Sequence, residues 1–385
     1  MGKLKSIQSL RAVAAIMVLL CHLFAMEEVH AGRSAKLTTF WVNGAHGVDL
    51  FFVISGFVIV WVASDAQRGV RGAGDFLFAR VTRIYPLWWL FAGATALMVF
   101  MADGVPWEAK RVAEYGMHGP THLAESLLLL PQAHHPILGV GWTLVHEMYF
   151  YAGFAALIFA LPAKRRIASI WVWGALVMIG STLGLTAEFA DTFVRLVFHP
   201  MTLQFIAGAG VAYIIKAKHR RFARSSLVIG LVGWVAVYIY IDPQILSTMA
   251  AQAGIEIGQF ATSSWQRTLF YGLPSALLVY GLVALELQGQ FNARIPNPLV
   301  RIGDWSYALY LCHVPVISTV RWLVYRPFGS DNPSVVAVYL LLGVIIPLIV
   351  AALAYYLFER PIIVFFKRYR TKPSTQQPRP VAASA

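Results

Sequence analysis

Residues 334–358 read SVVAVYLLLGVIIPLIVAALAYYLF, an apolar run without one charged side chain. A bilayer's hydrocarbon core is about 30 Å thick, and about 20 mostly apolar residues in a helix cross it. The helix is demanded because it pairs its own backbone N–H and C=O groups where no water can. This run is long enough to span and too apolar to face water. Working toward the N-terminus, nine more stretches of the same kind occur at 303–325, 266–287, 225–241, 196–215, 167–187, 140–161, 84–102, 45–63 and 9–26. Together they predict an all-α integral membrane protein, a bundle of about ten transmembrane helices. Composition agrees: of 385 residues, 58% are hydrophobic and 13% charged, about half the charge of an ordinary soluble domain. Two cysteines are too few for a disulfide scaffold or a cysteine-rich zinc module. With 16 Tyr, 24 Phe and 12 Trp, collagen-like and disordered chains are excluded as well.

The net charge of +13 is explained by where the basic residues fall. With the N-terminus in the cytoplasm, twenty-two Lys and Arg lie on the inner side, among them Lys3, Arg68, Arg80, Arg83, Arg166, Lys216 and Arg301. Eight lie outside, among them Arg195, Arg267 and Arg321. Basic residues resist translocation, so both termini are expected to be cytoplasmic. Acidic residues cluster outside instead, including Glu27, Glu114, Asp191 and Asp331. The basic excess therefore reads as topogenic, and no nucleic-acid partner is expected. Residues 1–366 are taken as the membrane domain and 367–385 as a basic, then Pro/Ser/Ala-rich, disordered cytoplasmic tail. Lys3 and Lys5 before an apolar run imitate a secretory leader. The run lacks a small-x-small cleavage site, however, and carries Arg11 and His22, so it is expected to stay as the first span. The segment 121–131 (THLAESLLLLP) is too short to cross and is expected to be interfacial or re-entrant.

An ionisable side chain at mid-bilayer costs about 2.5–3.5 kcal/mol on insertion scales, so each one is a functional candidate. The first helix contains SLRAVAAIMVLLCH at 9–22, with Arg11 and His22. Eleven residues return to within about 20° of one face and separate the two by about 16 Å. Arg11 either snorkels or serves a ligand, and His22 either bonds a neighbouring helix or does chemistry. GVDLFFVISGF at 47–57 places Asp49 one turn inside the outer surface, and GWTLVHEMYFY at 141–151 places Glu147 two turns in. His22, Asp49 and Glu147 are thus expected to converge in the outer half of the bilayer, where carboxylates can orient an imidazole for proton transfer. His146-Glu147 does not begin a zinc-protease HExxH motif, since Phe150 stands at the second histidine position. In RVTRIYPLWW at 80–89, Arg80 and Arg83 share a helix face at the inner boundary. They suit a polyanion such as a nucleotide phosphate, or anchor the helix by the positive-inside rule. In GDWSYALYLCHVPV at 303–316, Tyr307, Tyr310 and His313 span a sector about 120° wide that either lines a pocket or packs. Trp142 and Ser306 are placed with them as candidate lining. Cys21 and Cys312 are read as packing residues.

Taken in order, Arg11 with His22 (R-x10-H), GVDLFFVISGF, the RxxR of Arg80 and Arg83, GWTLVHEMYFY and SYALYLCHVP at 306–315 resemble the membrane acyltransferase-3 family. Its members O-acylate bacterial polysaccharides, lipopolysaccharide O-antigens, Nod factors and some small glycosides. The resemblance runs from about residue 6 to residue 360. It implies a multi-pass protein of the bacterial cytoplasmic membrane that transfers an acyl group, commonly acetyl, from cytoplasmic acyl-CoA to a hydroxyl of an extracytoplasmic glycan or glycolipid. The SGNH esterase-like domain of some members is not expected after the tenth helix. Arg11, His22, Arg80, Arg83 and Glu147 match functionally important family positions. The expected division of labour has Arg11, Arg80 and Arg83 binding acyl-CoA and His22 acting as general base with Glu147 and Asp49 in support. Direct transfer and an acyl-histidine intermediate both stay open. No metal or resident cofactor is expected; acyl-CoA is the donor substrate. Membrane lipid and polysaccharide-synthesis machinery are the other expected partners. The rival reading is a secondary transporter or flippase with a polar intramembrane path.

Overall fold

The structure is a computed structural model that describes residues 3–31, 41, 43–103, 119–186, 192–240, 264–290 and 296–369. The described residues form helices and no strand. In chain order these are α1 (Lys5–Ala31), α2 (Gly47–Ala63), α3 (Val70–Asp103), α4 (Gly119–Leu128), α5 (Trp142–Ala160), α6 (Ala163–Thr182) and α7 (Thr192–Val197). They continue as α8 (Thr202–Lys216), α9 (Ala223–Tyr240), α10 (Ser264–Arg267), α11 (Leu273–Leu287), α12 (Asn297–Phe328), α13 (Pro333–Ala354) and α14 (Arg360–Lys367). Single π-helical turns, Thr268–Gly272 and Tyr355–Glu359, join α10 to α11 and α13 to α14. Among the described residues, seven helical segments are long and apolar enough to cross a membrane: Lys5–Glu27, Asn43–Ala63, Gly139–Ala160, Thr192–Lys216, Ser264–Leu287, Asn297–Phe328 and Pro333–Lys367. They coincide with seven of the ten expected stretches. The other three lie on α3, α6 and α9. Of these, α6 opens with Lys164, Arg165 and Arg166, and α9 is apolar only over Ala223–Ile239. Glu114, Asp191 and the tail from 370 onward lie outside the described residues.

Most prolines of the spans, such as Pro86, Pro315 and Pro347, lie within continuous helices, but one marks a break. Pro200, which has no N–H to donate, separates α7 from α8 within the sixth stretch. The short 121–131 segment contains a true helix, α4, and its last carbonyls are capped from α3. Tyr85 Oη donates to the Leu128 carbonyl at 2.7 Å, Trp88 Nε1 to Ser126 at 3.1 Å and Trp89 Nε1 to Leu127 at 2.9 Å. A helix end leaves four carbonyls unpaired, and residues 85, 88 and 89 stand on one face of α3 to meet three of them.

Close helix approach replaces hydrophobic driving force inside a membrane, since lipid tails are as apolar as leucine. Helices α2 and α8 show how it is reached. A Cβ at Gly56 would strike the Phe205 carbonyl, and one at Gly208 would strike the Val53 carbonyl. The two backbones therefore touch, and each glycine clears the way for the other helix. Helices α1 and α12 run parallel: Arg11 meets Ser306 near their starts, His22 meets His313 further on, and Glu27 meets Tyr325 near the far end.

Helix ends expected on the inner side of the membrane gather at one end of the bundle. Glu286, at the end of α11, accepts from the Lys5 and Ser6 N–H groups at 2.8 and 2.9 Å and from Ser6 Oγ at 2.5 Å. It satisfies first-turn donors of α1 and places a carboxylate at the positive end of the helix dipole. Arg220 donates to the Leu287 carbonyl at 3.0 Å, bringing the α8–α9 turn alongside. Ser64, after α2, binds Lys216 through its hydroxyl, and its carbonyl accepts from Arg166 Nη1 at 2.8 Å. Trp305 packs edge-on to Tyr356 at 6.0 Å, adding the last π turn. Arg166, counted among the basic residues of the inner side, has a structural part as well. It is fully buried and donates through Nε to the Leu161 carbonyl at 3.1 Å, so it ties the α5–α6 turn to α2.

Candidate active site

Four helices enclose a cavity of about 100 Å³. Each contributes a stripe that helical periodicity dictates: Arg80, Arg83 and Ile84 from α3, Thr143, Glu147 and Tyr151 from α5, Phe51, Ser55 and Val58 from α2, and Ser306, Tyr307 and Tyr310 from α12. Arg11 of α1 closes it. All five sequence motifs that carry the resemblance thus supply lining, four of them through residues three or four apart. Among the lining residues, three guanidiniums face one carboxylate.

The polar groups are held in place by named partners. Arg11 Nε donates to Ser306 Oγ at 3.0 Å. Ser55 Oγ donates to Glu147 Oε1 at 2.6 Å, and Tyr151 Oη donates to the same oxygen. The Arg80 guanidinium lies 5.5 Å from the ring centres of both Phe76, on its own helix, and Tyr151 of α5, a cation–π arrangement that holds it between the two. Tyr307 Oη donates to the Ile84 carbonyl at 2.8 Å, and Tyr310 Oη donates to the Val140 carbonyl at 3.0 Å while meeting Thr143 Oγ1 at 2.9 Å. These bonds lock α12 to α3 and α5, so the cavity walls are fixed before any ligand arrives. Arg80 and Arg83 stand ten and thirteen residues into α3, about 15 and 20 Å along it. The expectation put them at the end of a helix beginning near 84, but the helix begins at Val70.

His22 and His313 lie outside this lining and pair with each other. His313 Nε2 is 3.3 Å from His22 Nδ1, and their ring centres are 4.8 Å apart at 70°. Each Nδ1 faces the carbonyl one turn earlier, Val18 at 2.9 Å for His22 and Leu309 at 3.1 Å for His313. A carbonyl only accepts, so each Nδ1 carries the proton and each Nε2 the lone pair. The His22 N–H is thereby shared between Val18 and His313.

Asp49 departs from the expected convergence. It is fully buried and bound by Arg267 Nη2 at 3.0 Å, His46 Nδ1 at 3.0 Å and Gln204 Nε2 at 2.7 Å. Its partners come from α8, α10 and the turn before α2, so it clamps three elements. His22, Asp49 and Glu147 are each held by a different set of partners. Arg267, counted from the sequence as an external charge, is 8% exposed and belongs inside this clamp. Trp142 also lies away from the arginine cavity; its ring carries the Arg267 guanidinium at 5.8 Å. Sequence reading overlooked Arg267, Gln204 and Ser55, whose partners are distant in the chain. It also overlooked Glu359, a 5% exposed carboxylate in the second π turn, within electrostatic reach of Arg83 and Arg11. The signal for Glu359 was a Glu-Arg-Pro closing an otherwise apolar run.

Described residues that are all-helical, seven segments long and apolar enough to cross a membrane, and a buried cavity lined by three arginines define an integral membrane protein. The family comparison is specific: the model for the acyltransferase domain matches residues 4–376, so the chain belongs to that acyltransferase family, the membrane acyltransferase-3 family. It is 31% identical over 332 residues to the exopolysaccharide production protein ExoZ of Rhizobium meliloti (strain 1021), covering 83% of this chain and 90% of that protein. It is 26% identical over 333 residues to the acyltransferase MdmB of Streptomyces mycarofaciens, covering 82% of this chain and 79% of that one. No solved structure matches the chain significantly.

Proposed function

We propose that this acyltransferase has about ten helices with both termini cytoplasmic in a bacterial inner membrane. It moves an acyl group, commonly acetyl, from cytoplasmic acyl-CoA to a hydroxyl of an extracytoplasmic polysaccharide. The charge of the inner cavity carries this reading. Arg11, Arg80 and Arg83 are three cations against two carboxylates, Glu147 in the lining, already occupied by Ser55 and Tyr151, and Glu359 nearby. Burying net positive charge is costly unless an anion compensates it. Acyl-CoA brings phosphates for the guanidiniums and a long neutral arm that can run up the bundle. The similarity to an exopolysaccharide production protein supports a glycan acceptor.

In this mechanism the acceptor hydroxyl gives its proton to His22 Nε2 while its oxygen attacks the thioester carbonyl. The carbon–sulfur bond then breaks, and the CoA sulfur takes the proton from the imidazolium. His313 holds the His22 ring, and Arg11, about 16 Å down the same helix, fixes the donor. The direct test is acyl-CoA binding by the full chain in vesicles. A lost charge-assisted contact is worth about 1.5–3 kcal/mol, so Arg80→Ala and Arg83→Ala should each weaken binding about 10- to 100-fold. Unchanged affinity in both inserted variants returns the pair to a topogenic role.

A further inference from the structure

Two hollows adjoin one another where the start of α5 meets α4, α7 and the 129–141 connection. One, of about 510 Å³, is bordered by His135, Trp142, His146 and His199. The other, of about 610 Å³, is bordered by His122 and Glu125, and Gln132 and Thr192 line both. Each falls in the size range of small-ligand sites. Helix α5 turns a different stripe to each side. Thr143, Glu147 and Tyr151 face the arginine cavity, while Trp142 and His146, about 100° round, face the hollow.

The proton positions follow from the partners. His146 Nδ1 is 3.1 Å from the Trp142 carbonyl, so it carries the proton and Nε2 is an acceptor. That Nε2 is buried and receives no hydrogen bond. His122, itself 2% exposed, repeats the pattern with the nitrogens exchanged. Its Nε2 donates to the His135 carbonyl at 2.9 Å, and its Nδ1 is a buried acceptor receiving none. His199 differs: its Nδ1 accepts from the Met201 N–H at 3.3 Å, and its Nε2 faces Ser264 Oγ at 3.3 Å. A buried acceptor left unmet costs about 1–3 kcal/mol. Among the described residues, no three His, Cys, Asp or Glu side chains converge to hold a metal. What the two imidazoles lack is hydrogen-bond donors, and a chain of hydroxyls supplies them.

We infer that these hollows are the cradle for the acceptor, a hydroxyl-rich glycan segment whose O–H groups donate to His146 Nε2 and His122 Nδ1. This rests on the acyltransferase reading proposed above, which places the start of α5 on the outer side. The test uses the full chain in lipid nanodiscs and diethyl pyrocarbonate, which reacts at the lone-pair nitrogen of a neutral imidazole. Modification of each histidine is read by mass spectrometry, with and without oligosaccharides released from the host's own exopolysaccharide by partial acid hydrolysis. At ligand about tenfold above Kd, mass action makes His146 and His122 react about tenfold more slowly. His219, exposed on the α8–α9 turn, should react at an unchanged rate. In parallel, transfer of labelled acetyl from acetyl-CoA to the same oligosaccharides is measured. His146→Phe should raise the acceptor KM about 3- to 10-fold, the worth of one neutral hydrogen bond, with acyl-CoA affinity unchanged. Protection without transfer keeps the cradle and removes the donor chemistry. Equal modification with and without oligosaccharide overturns the cradle, whether or not transfer is seen.

Discussion

Asp49 and Arg267 show what a buried charge does in this protein when it is not in the cavity. Removing one member of a fully buried, hydrogen-bonded pair strands the other and costs about 3–5 kcal/mol. Arg267→Met alone should therefore sharply lower the thermal midpoint of the detergent-solubilised chain, and Asp49→Asn alone should do the same. The double variant should recover much of the loss, because neither charge is left behind. Independent, additive losses would sink the clamp. His22 is different in kind. His22→Ala should keep acyl-CoA binding and lose acyl transfer by about 10²- to 10⁴-fold, the usual worth of a positioned base. Glu147 is bound to Ser55 and Tyr151 rather than to an imidazole. Its loss should accordingly add to that of His22→Ala in a double variant instead of being masked by it. A double variant no worse than His22→Ala would mean that the two act as one unit. Cys21 and Cys312 are buried, and serine at either should retain turnover; total inactivation of folded variants would point to a thioester on the enzyme.

At the scale of elements, two devices set the helix arrangement. The first is the reciprocal glycine contact between α2 and α8. Gly56→Leu drives a side chain into the Phe205 backbone, which cannot yield as a flexible side chain would. The variant should insert but fail to give a monodisperse peak in mild detergent, whereas Gly74→Leu, where a Cβ meets nothing within 4 Å, should be tolerated. The second is the cap that Glu286 places on α1. Glu286→Ala should cost about 0.5–2 kcal/mol, as loss of an N-cap does. It should also speed amide exchange at Lys5 and Ser6 ahead of the rest of α1, and protection equal to wild type there would show the cap to be idle. Because α1 carries both Arg11 and His22, a frayed start loosens the donor end of the site before the catalytic end.

For the whole molecule, the grouping of helix ends around Ser64, Glu286 and Trp305 makes a single inner face the natural reading. Reporter fusions after Arg166, Arg224 and Arg370 should read cytoplasmic, and fusions near Glu114, Asp191 and Asp331 external. A fusion on the opposite side at any of these six points would break the ten-helix topology between its neighbours.

How much was legible in advance differs by level. Runs such as 334–358 announce their helices because exclusion of water acts on every residue of a span alike, and one-dimensional hydropathy records it. The arginine cavity was legible in part: Arg80 and Arg83, or Thr143, Glu147 and Tyr151, are brought to one face by helical period alone. Periodicity says nothing of which helix stands opposite, and there the tertiary structure decided. Asp49 faces Arg267, 218 positions away, rather than His22, and His22 faces His313, 291 positions away. Arg166 was counted as an inner charge and Arg267 as an outer one, and sequence could not tell that both are buried, since a charge near a helix end looks the same whether solvated or buried. The sequence by itself determined that the chain crosses a membrane and which side chains are too costly to bury without a reason. Only the packing of distant helices, through backbone contacts that glycines permit, decided which of those side chains meet one another.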